Sequence, residues 1–165
     1  YRVEFKTNFL LVGTSNPCPC GMLYEGNCKC SNIEIERYTK KLSGPILDRI
    51  DLIVQIKRLN EEELVNSKKG EGSAEIRKRV IKAREIQYKR FKEIRTNSTM
   101  TQEELKKYCD IKDEDKRFLI SALENLKISA RVYDKILKIA RTIADLEGKE
   151  DLERKHLLEA ISFKK

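Results

Sequence analysis

Apolar residues in the first third of the chain occur in short runs bounded by polar turn residues. The two clearest runs are residues 8–14, with the sequence NFLLVGT, and residues 51–57, with the sequence DLIVQIK. Short continuous apolar runs of this kind predict strands buried in a sheet. Between them, Asn32 or Ser31 can cap a helix that the Gly44–Pro45 pair ends. The first third is therefore predicted to be mixed α/β.

Beyond residue 58 the apolar positions repeat at helical spacing instead. This repeat predicts helices over 76–94, 101–108, 113–126, 129–148 and 153–163. The helix over 113–126 is expected to use Phe118, Ile120, Leu123 and Leu126 as its apolar positions, and the one over 129–148 has the clearest stripe.

Capping signals mark several of these helices. The pairs Thr101–Glu104 and Asn60–Glu63 have the spacing of capping boxes. Ser129 offers an N-cap to the helix with the clearest apolar stripe, and Gly148 ends that helix. The fifth cysteine, Cys109, is expected to be a buried small apolar residue.

The hydrophilic stretch 68–72 contains two glycines and is the predicted domain boundary. The predicted fold class is therefore mainly α. A partial α/β segment over residues 1–67 is followed by an all-α helical bundle over residues 68–165.

Charge changes this picture at one place. The chain has 165 residues, with 35 Lys and Arg against 27 Asp and Glu and a formal net charge of +8. Residues 68–95 alone hold eleven Lys and Arg against four acids, a net +7. Such a segment is either a nucleic-acid face or a solvated helix, since Lys and Arg are good helix formers. Both interpretations stay open.

Four of the five cysteines, Cys18, Cys20, Cys28 and Cys30, lie within thirteen residues. Two Cys-x-Cys pairs without secretory features favour a metal site over disulfides, although reversible disulfides and free thiols remain alternatives. Four thiolates would form a closed, tetrahedral zinc site with no open position for catalysis.

Other signals are absent from the sequence. It contains no GxxxxGK[ST], GxGxxG, GxSxG or HExxH motif, and its one histidine, His156, lies at a polar helix start where we expect exposure to solvent. The longest apolar run, residues 9–12, is far short of a membrane span. The first residues lack the apolar region of a secretory signal and an initiator Met, so we interpret the chain as a piece of a longer protein.

Five blocks occur in an order that resembles a known family. They are TSNPCPCG at 14–21, CKC at 28–30, RYTKKLSGPILDRIDLIVQI at 37–56, GEGSAEIRKRV at 70–80 and SARVYDKILKIARTIADLEG at 129–148. Together they resemble the C-terminal half of the magnesium chelatase-like AAA+ ATPases of the ComM/YifB type.

This resemblance implies a function for a longer protein. Such ATPases use ATP and Mg²⁺, assemble into rings, expected here to be hexamers in the cytoplasm, and in one branch act as helicases in DNA branch migration. The family's Lon-protease-like domain, P-loop (Walker A) and Walker B acid would precede Tyr1. Since this chain has neither Walker motif, it is expected to be inactive as an ATPase by itself. Two alternatives remain: a zinc-bearing, non-enzymatic DNA-binding module, and a chelatase-type motor acting on a protein complex.

The resemblance also implies roles for three residues. Asn16 matches sensor 1, which holds the attacking water near the γ-phosphate, although it could instead form a turn before Pro17. Arg49 matches the arginine finger, although it could instead pair with an adjacent aspartate. Arg131 matches sensor 2, a nucleotide-contacting residue of the lid, although Glu124 could pair with it instead. For the four cysteines the resemblance supports structural zinc.

Overall fold

The computed structural model describes residues 1, 3–5, 9–41, 44–56, 59, 65–66, 70–126, 129 and 132–164. The chain divides into two compact units, Tyr1–Leu47 and Asp48–Lys165. Helices are the only regular secondary structure in the described part of the chain. The prediction of a mainly α chain is therefore confirmed.

The two predicted strands are wrong for the residues that can be examined. Residues 9–14 and 51–56 form no strand, and their apolar side chains are exposed except for that of Ile53, which is half-buried. Leu10 is 87% exposed and Ile56 is 89% exposed. A strand requires hydrogen bonds to a neighbouring strand, and no strand in the described part of the chain lies beside either run. The partial α/β segment is accordingly not observed.

The first unit contains the cysteine loop and two helices. Helix α1 spans Asn32–Thr39 and α2 spans Gly44–Leu47. Ser31 caps α1 in a capping box, in which the Ser31 backbone N–H donates to Glu34 Oε2 at 2.8 Å. This bond holds the pKa of Glu34 below its ordinary value. The helix start is thus fixed immediately after Cys30, the last residue of the cysteine loop.

The second unit is a helical bundle. Its helices with described bounds are α3 (Ser73–Phe91), α4 (Gln102–Tyr108), α5 (Asp113–Asn125), α6 (Tyr133–Glu147) and α7 (Arg154–Ser162). A single 3₁₀ turn, Asn97–Thr99, lies between α3 and α4. Thr101 and Glu104 form the predicted capping box of α4.

Helix α6 is the centre of this bundle and packs against α3, α4, α7 and the 3₁₀ turn. Its predicted stripe is confirmed: Ile136, Ala140 and Ala144 are 0% exposed. The helix ends at Gly148, whose φ of +71° favours glycine. Its start differs from the prediction, since Val132 rather than Ser129 occupies the N-cap position.

Three predictions about burial can be compared with the bundle. Cys109 is buried as predicted. On α5, Ile120 is half exposed and the adjacent Leu119 fills the core instead. His156 was expected at the surface but is fully buried, because α7 packs against α6. Its Nδ1 accepts a hydrogen bond from the Glu153 backbone N–H at 3.0 Å. This bond closes a capping box at the start of α7.

Two predictions concern residues outside the described ranges. The helix start at Asn60 and Glu63 lies there, and so does the division at residues 67–68. The domain boundary therefore stays a prediction. No described helix is both long and apolar enough to cross a membrane.

Candidate functional site

The four clustered cysteines are brought together by their loop. The sulfur atoms of Cys18, Cys20, Cys28 and Cys30 all lie within 4.8 Å of one another. Cys18 is fully buried at the base of the loop, whereas Cys20 is exposed. Gly21, with a φ of +79°, turns the chain after the first pair, and its N–H donates to the Cys18 carbonyl at 3.0 Å. A side chain at this position would be strained.

The distances between the sulfur atoms fit a metal better than a disulfide. Cys18 Sγ lies 3.4 Å from Cys20 Sγ and 3.7 Å from Cys28 Sγ, and Cys20 Sγ lies 3.6 Å from Cys28 Sγ. A disulfide bond is about 2.05 Å long, so all four residues are free cysteines. Four sulfurs tetrahedrally placed at about 2.3 Å from zinc would be about 3.8 Å apart. The residues present therefore fit a four-thiolate zinc site.

Electrostatics within the loop point the same way. Backbone hydrogen bonds at Met22 and Lys29 lower the pKa of the Cys20 thiol to about 6. Cys30 also has a backbone hydrogen bond, at Cys20, but desolvation and the neighbouring sulfurs outweigh it and raise the pKa of Cys30 to about 12. Repulsion among the sulfurs thus opposes four thiolates in this loop, and a bound cation would offset this repulsion.

Asn16, the predicted sensor-1 residue, lies beside the cysteine loop. Its side chain is exposed, and a Cβ atom built on Gly21 would lie 3.7 Å from Asn16 Cγ. Ser15 Oγ donates to the Asn16 carbonyl at 3.1 Å. Asn16 is thus at the entry to the loop, two residues before its first cysteine.

Arg49, the predicted finger, lies on a segment held by the helical bundle of its own unit. The Arg49 carbonyl accepts from Lys135 Nζ at 2.8 Å, and Asp51 forms an ion pair with the same ammonium at 2.9 Å. The Ile53 N–H donates to the Phe163 carbonyl at 2.9 Å, and Lys164 Nζ donates to the Ile50 carbonyl. Residues 49–53 are therefore attached to the start of α6 and the end of α7.

No sequence pattern predicts these attachments. Lys135 and Lys164 look like ordinary surface lysines, and their partners lie far away in the chain. Lys164 is partly desolvated, which lowers its pKa from the ordinary value. Arg131, the predicted sensor-2 residue of the lid, lies outside the described residues, so its role stays a prediction.

The bundle also contains a buried ionic network that the sequence patterns did not predict. Asp145 is 1% exposed and accepts hydrogen bonds from Arg90, Arg141 and Asn97. Arg141 also donates to the carbonyls of Lys149 and Glu150, which fixes the connection after α6. The one sequence feature that could have indicated this network is the spacing of Arg141 and Asp145, which form a charged i,i+4 pair on the most apolar helix.

Two family matches cover nearly all of the chain. Residues 1–64 match the family described as magnesium chelatase, subunit ChlI. Residues 70–164 match the family described as magnesium chelatase, subunit ChlI C-terminal. The two matches follow each other without overlap.

Curated relatives match over the whole chain. The competence protein ComM of Haemophilus influenzae is 39% identical over 164 residues, which are 99% of this chain and 32% of the relative. The uncharacterized protein YifB of Salmonella typhimurium is 39% identical and that of Escherichia coli 36% identical, each over 165 residues and again 32% of the relative. The chain thus spans about a third of the length of these relatives. It belongs to the magnesium chelatase-like family of the ComM/YifB type.

Proposed function

We propose that this chain supplies the sensor-1, arginine-finger and sensor-2 residues of a ring-forming AAA+ ATPase that remodels DNA. The observation that carries the proposal is the pair of consecutive family matches, together with 39% identity to a competence protein over 99% of the chain. The complete protein would bind ATP and Mg²⁺ through a P-loop and a Walker B acid. It would act in the cytoplasm, as a hexamer of the branch-migration helicase type.

In this proposal Asn16 is sensor 1. An amide can donate to a phosphate oxygen and accept from water, which suits a group that orients the attacking water. Its position before a loop turned by Gly21 supports the role, because a fixed loop restricts the backbone on which the amide is carried.

Arg49 is the proposed finger. Its guanidinium would reach the nucleotide of a neighbouring subunit and offset the charge that develops on the phosphoryl oxygens. The contacts of residues 49–53 with α6 and α7 support this role, since they tie the finger segment to the lid of the same subunit. Arg131, two residues before α6 in the sequence, is the proposed sensor 2.

Replacement of the finger tests this proposal. In the complete protein, Arg49→Ala is expected to lower the ATPase turnover by about 10³-fold or more while nucleotide affinity changes little, because a finger acts mainly on the transition state. Arg49→Lys keeps the charge but loses the paired donors, so we expect a large loss there too. Turnover is measured by phosphate release and affinity with a fluorescent nucleotide.

The matched control is Arg117→Ala, which removes an exposed arginine from α5. It should leave turnover within about twofold of the wild type, as expected for a surface change. Equal turnover of Arg49→Ala and Arg117→Ala would count decisively against the finger.

We further propose that Cys18, Cys20, Cys28 and Cys30 hold a structural zinc ion. The four sulfur atoms already have the separations of a tetrahedral site, and four protein ligands leave no place for a reacting water. The zinc would close the loop between Asn16 and α1, so its contribution is to folding rather than to chemistry.

Metal content tests the zinc proposal. The purified chain should contain about one zinc per molecule, and four thiols should become reactive only after a chelator removes the metal. Cys18→Ser is expected to lose the metal. Cys109→Ala is the control, because Cys109 lies in the bundle core and desolvation raises its pKa to about 11. A wild-type chain with four freely titrating thiols and no zinc would remove this proposal.

A further inference from the structure

The first half of α3 extends beyond the helical bundle. Every residue from 73 to 82 is exposed, whereas the second half of the helix buries Ala83, Gln87 and Phe91 and pairs Arg90 with Asp145. The 19-residue helix is about 28 Å long at 1.5 Å per residue, so about half of its length is free of bundle contacts. Helix α3 lies within residues 68–95, the segment that carries a net charge of +7.

Some of its cations have internal partners. Arg79 forms an ion pair with Glu71 at 2.7 Å, Arg90 with the buried Asp145, and Arg95, just after the helix, with Glu104. Six others form no ion pair with another described residue: Arg77, Lys78, Lys82, Arg84, Lys89 and Lys92. These six charges therefore face solvent without compensation from the described chain.

Three of the six form a row, which we call the lysine row: Lys78, Lys82 and Lys89. At 100° per residue they lie within a sector about 40° wide, opposite the stripe formed by Ala83, Gln87 and Phe91. The row extends about 16 Å along the helix axis. Two acids, Glu75 and Glu85, lie on the same side of the helix, each about 40° from the centre of the row.

We propose that the lysine row is a docking surface for the phosphate backbone of duplex DNA. The proposal rests on the proposed DNA-remodelling function and gives that function a contact surface on the lid. A row of this length matches about five base-pair steps at 3.4 Å each. Lysine is a flexible point charge without the paired donors that read bases, so the contact would not depend on sequence.

Charge complementarity favours nucleic acid over a protein partner here. The exposed stretch of α3 has four cations and one acid over residues 73–82. Its exposed apolar residues Ile76 and Val80 lie on the opposite side of the helix from the lysine row, so the row itself does not surround an apolar centre. Protein interfaces have an apolar centre depleted in charge, whereas DNA interfaces are polar and strongly positive.

Binding of a fluorescent 25-base-pair duplex to the whole 165-residue chain tests the proposal, without nucleotide and over about 50 to 200 mM salt. The variant with Lys78→Gln, Lys82→Gln and Lys89→Gln should bind at least about 30-fold more weakly at 50 mM salt. The slope of log affinity against log salt should fall in magnitude by about 3, one for each lost phosphate contact.

The control variant carries Lys106→Gln, Lys112→Gln and Lys149→Gln, which are exposed lysines outside α3. It has the same net charge as the row variant and should keep the wild-type slope. A second variant, Glu85→Gln, removes one of the two acids on the row side and should raise the affinity by about 3-fold. Circular dichroism checks that each variant keeps its helix content.

Equal losses in the two triple variants would overturn the proposal, because total charge and not the row would then govern binding. Absence of binding by the wild type at low salt would overturn it as well. The assay contains no ATP, so its failure would leave the finger experiment untouched, and failure of the finger experiment would leave this one interpretable.

Discussion

At the scale of single residues, Asp145 is the point on which the polar interior of the bundle depends. Its carboxylate is buried and accepts from two guanidinium groups, those of Arg90 and Arg141. Asn97 Nδ2 adds a further bond at 2.8 Å and also donates to Thr142 Oγ1 at 3.0 Å. Through these bonds one side chain connects α3, the 3₁₀ turn and α6.

Removal of that charge should therefore be costly. Asp145→Asn leaves two guanidinium groups near the core with no carboxylate, and we expect a loss of about 3–5 kcal/mol in the free energy of unfolding. Urea unfolding followed by circular dichroism measures this loss. The exposed Asp151→Asn is the control and should change stability by less than about 0.5 kcal/mol. Similar effects from the two substitutions would show that the network does not stabilise the bundle.

At the scale of elements, the sequence predicted local features well and non-local ones poorly. The Thr101–Glu104 capping box, the α6 stripe and its end at Gly148 depend on residues within a few positions of one another. The prediction of two strands was wrong because a strand depends on a partner strand, which a short apolar run does not itself specify. The prediction that His156 is exposed was wrong for a similar reason, since its burial depends on the packing of α7 against α6.

In the candidate site, too, the sequence predicted a local feature but not a non-local one. The grouping of the four cysteines followed from their closeness in sequence, and the structure brings their sulfur atoms together. The attachment of the Arg49 segment to Lys135 could not be predicted, because the two residues are 86 positions apart. Roles such as sensor or finger came from resemblance alone and remain proposals.

The junction of α6 and α7 gives a prediction about pH. Hydrogen bonds from Lys155 and then His156 lower the pKa of Glu147 from its ordinary 4.5. A carboxylate with a lowered folded-state pKa stabilises the fold above its unfolded pKa, and this contribution disappears as pH falls through the folded pKa. The wild type should therefore melt at a higher temperature than Glu147→Gln near pH 7, and this difference should vanish toward about pH 3.

The control for this prediction is Glu159→Gln, which changes an exposed glutamate on α7. Its melting temperature should follow that of the wild type across the pH range. If the gap between the wild type and Glu147→Gln stayed constant from pH 7 to pH 3, the junction would owe its stability to something other than this carboxylate.

At the scale of the whole molecule, three features bear on function. Membership of the magnesium chelatase-like family is established by two matches that together cover residues 1–64 and 70–164. The four-cysteine loop and the helical bundle are features of the structure. The central claim, that Arg49 completes the ATP site of a neighbouring subunit, is the proposal that connects them to a motor.

Mixed rings test that claim most directly. Subunits of the complete protein carrying Arg49→Ala keep their own P-loop, whereas subunits with a P-loop lysine replaced keep their Arg49. Each kind alone should hydrolyse ATP at a small fraction of the wild-type rate, about 10⁻³ or less for Arg49→Ala. If Arg49 acts across the subunit interface, mixing the two should restore ATPase turnover well above the sum of the separate rates. Turnover of the mixture equal to that sum would contradict the account.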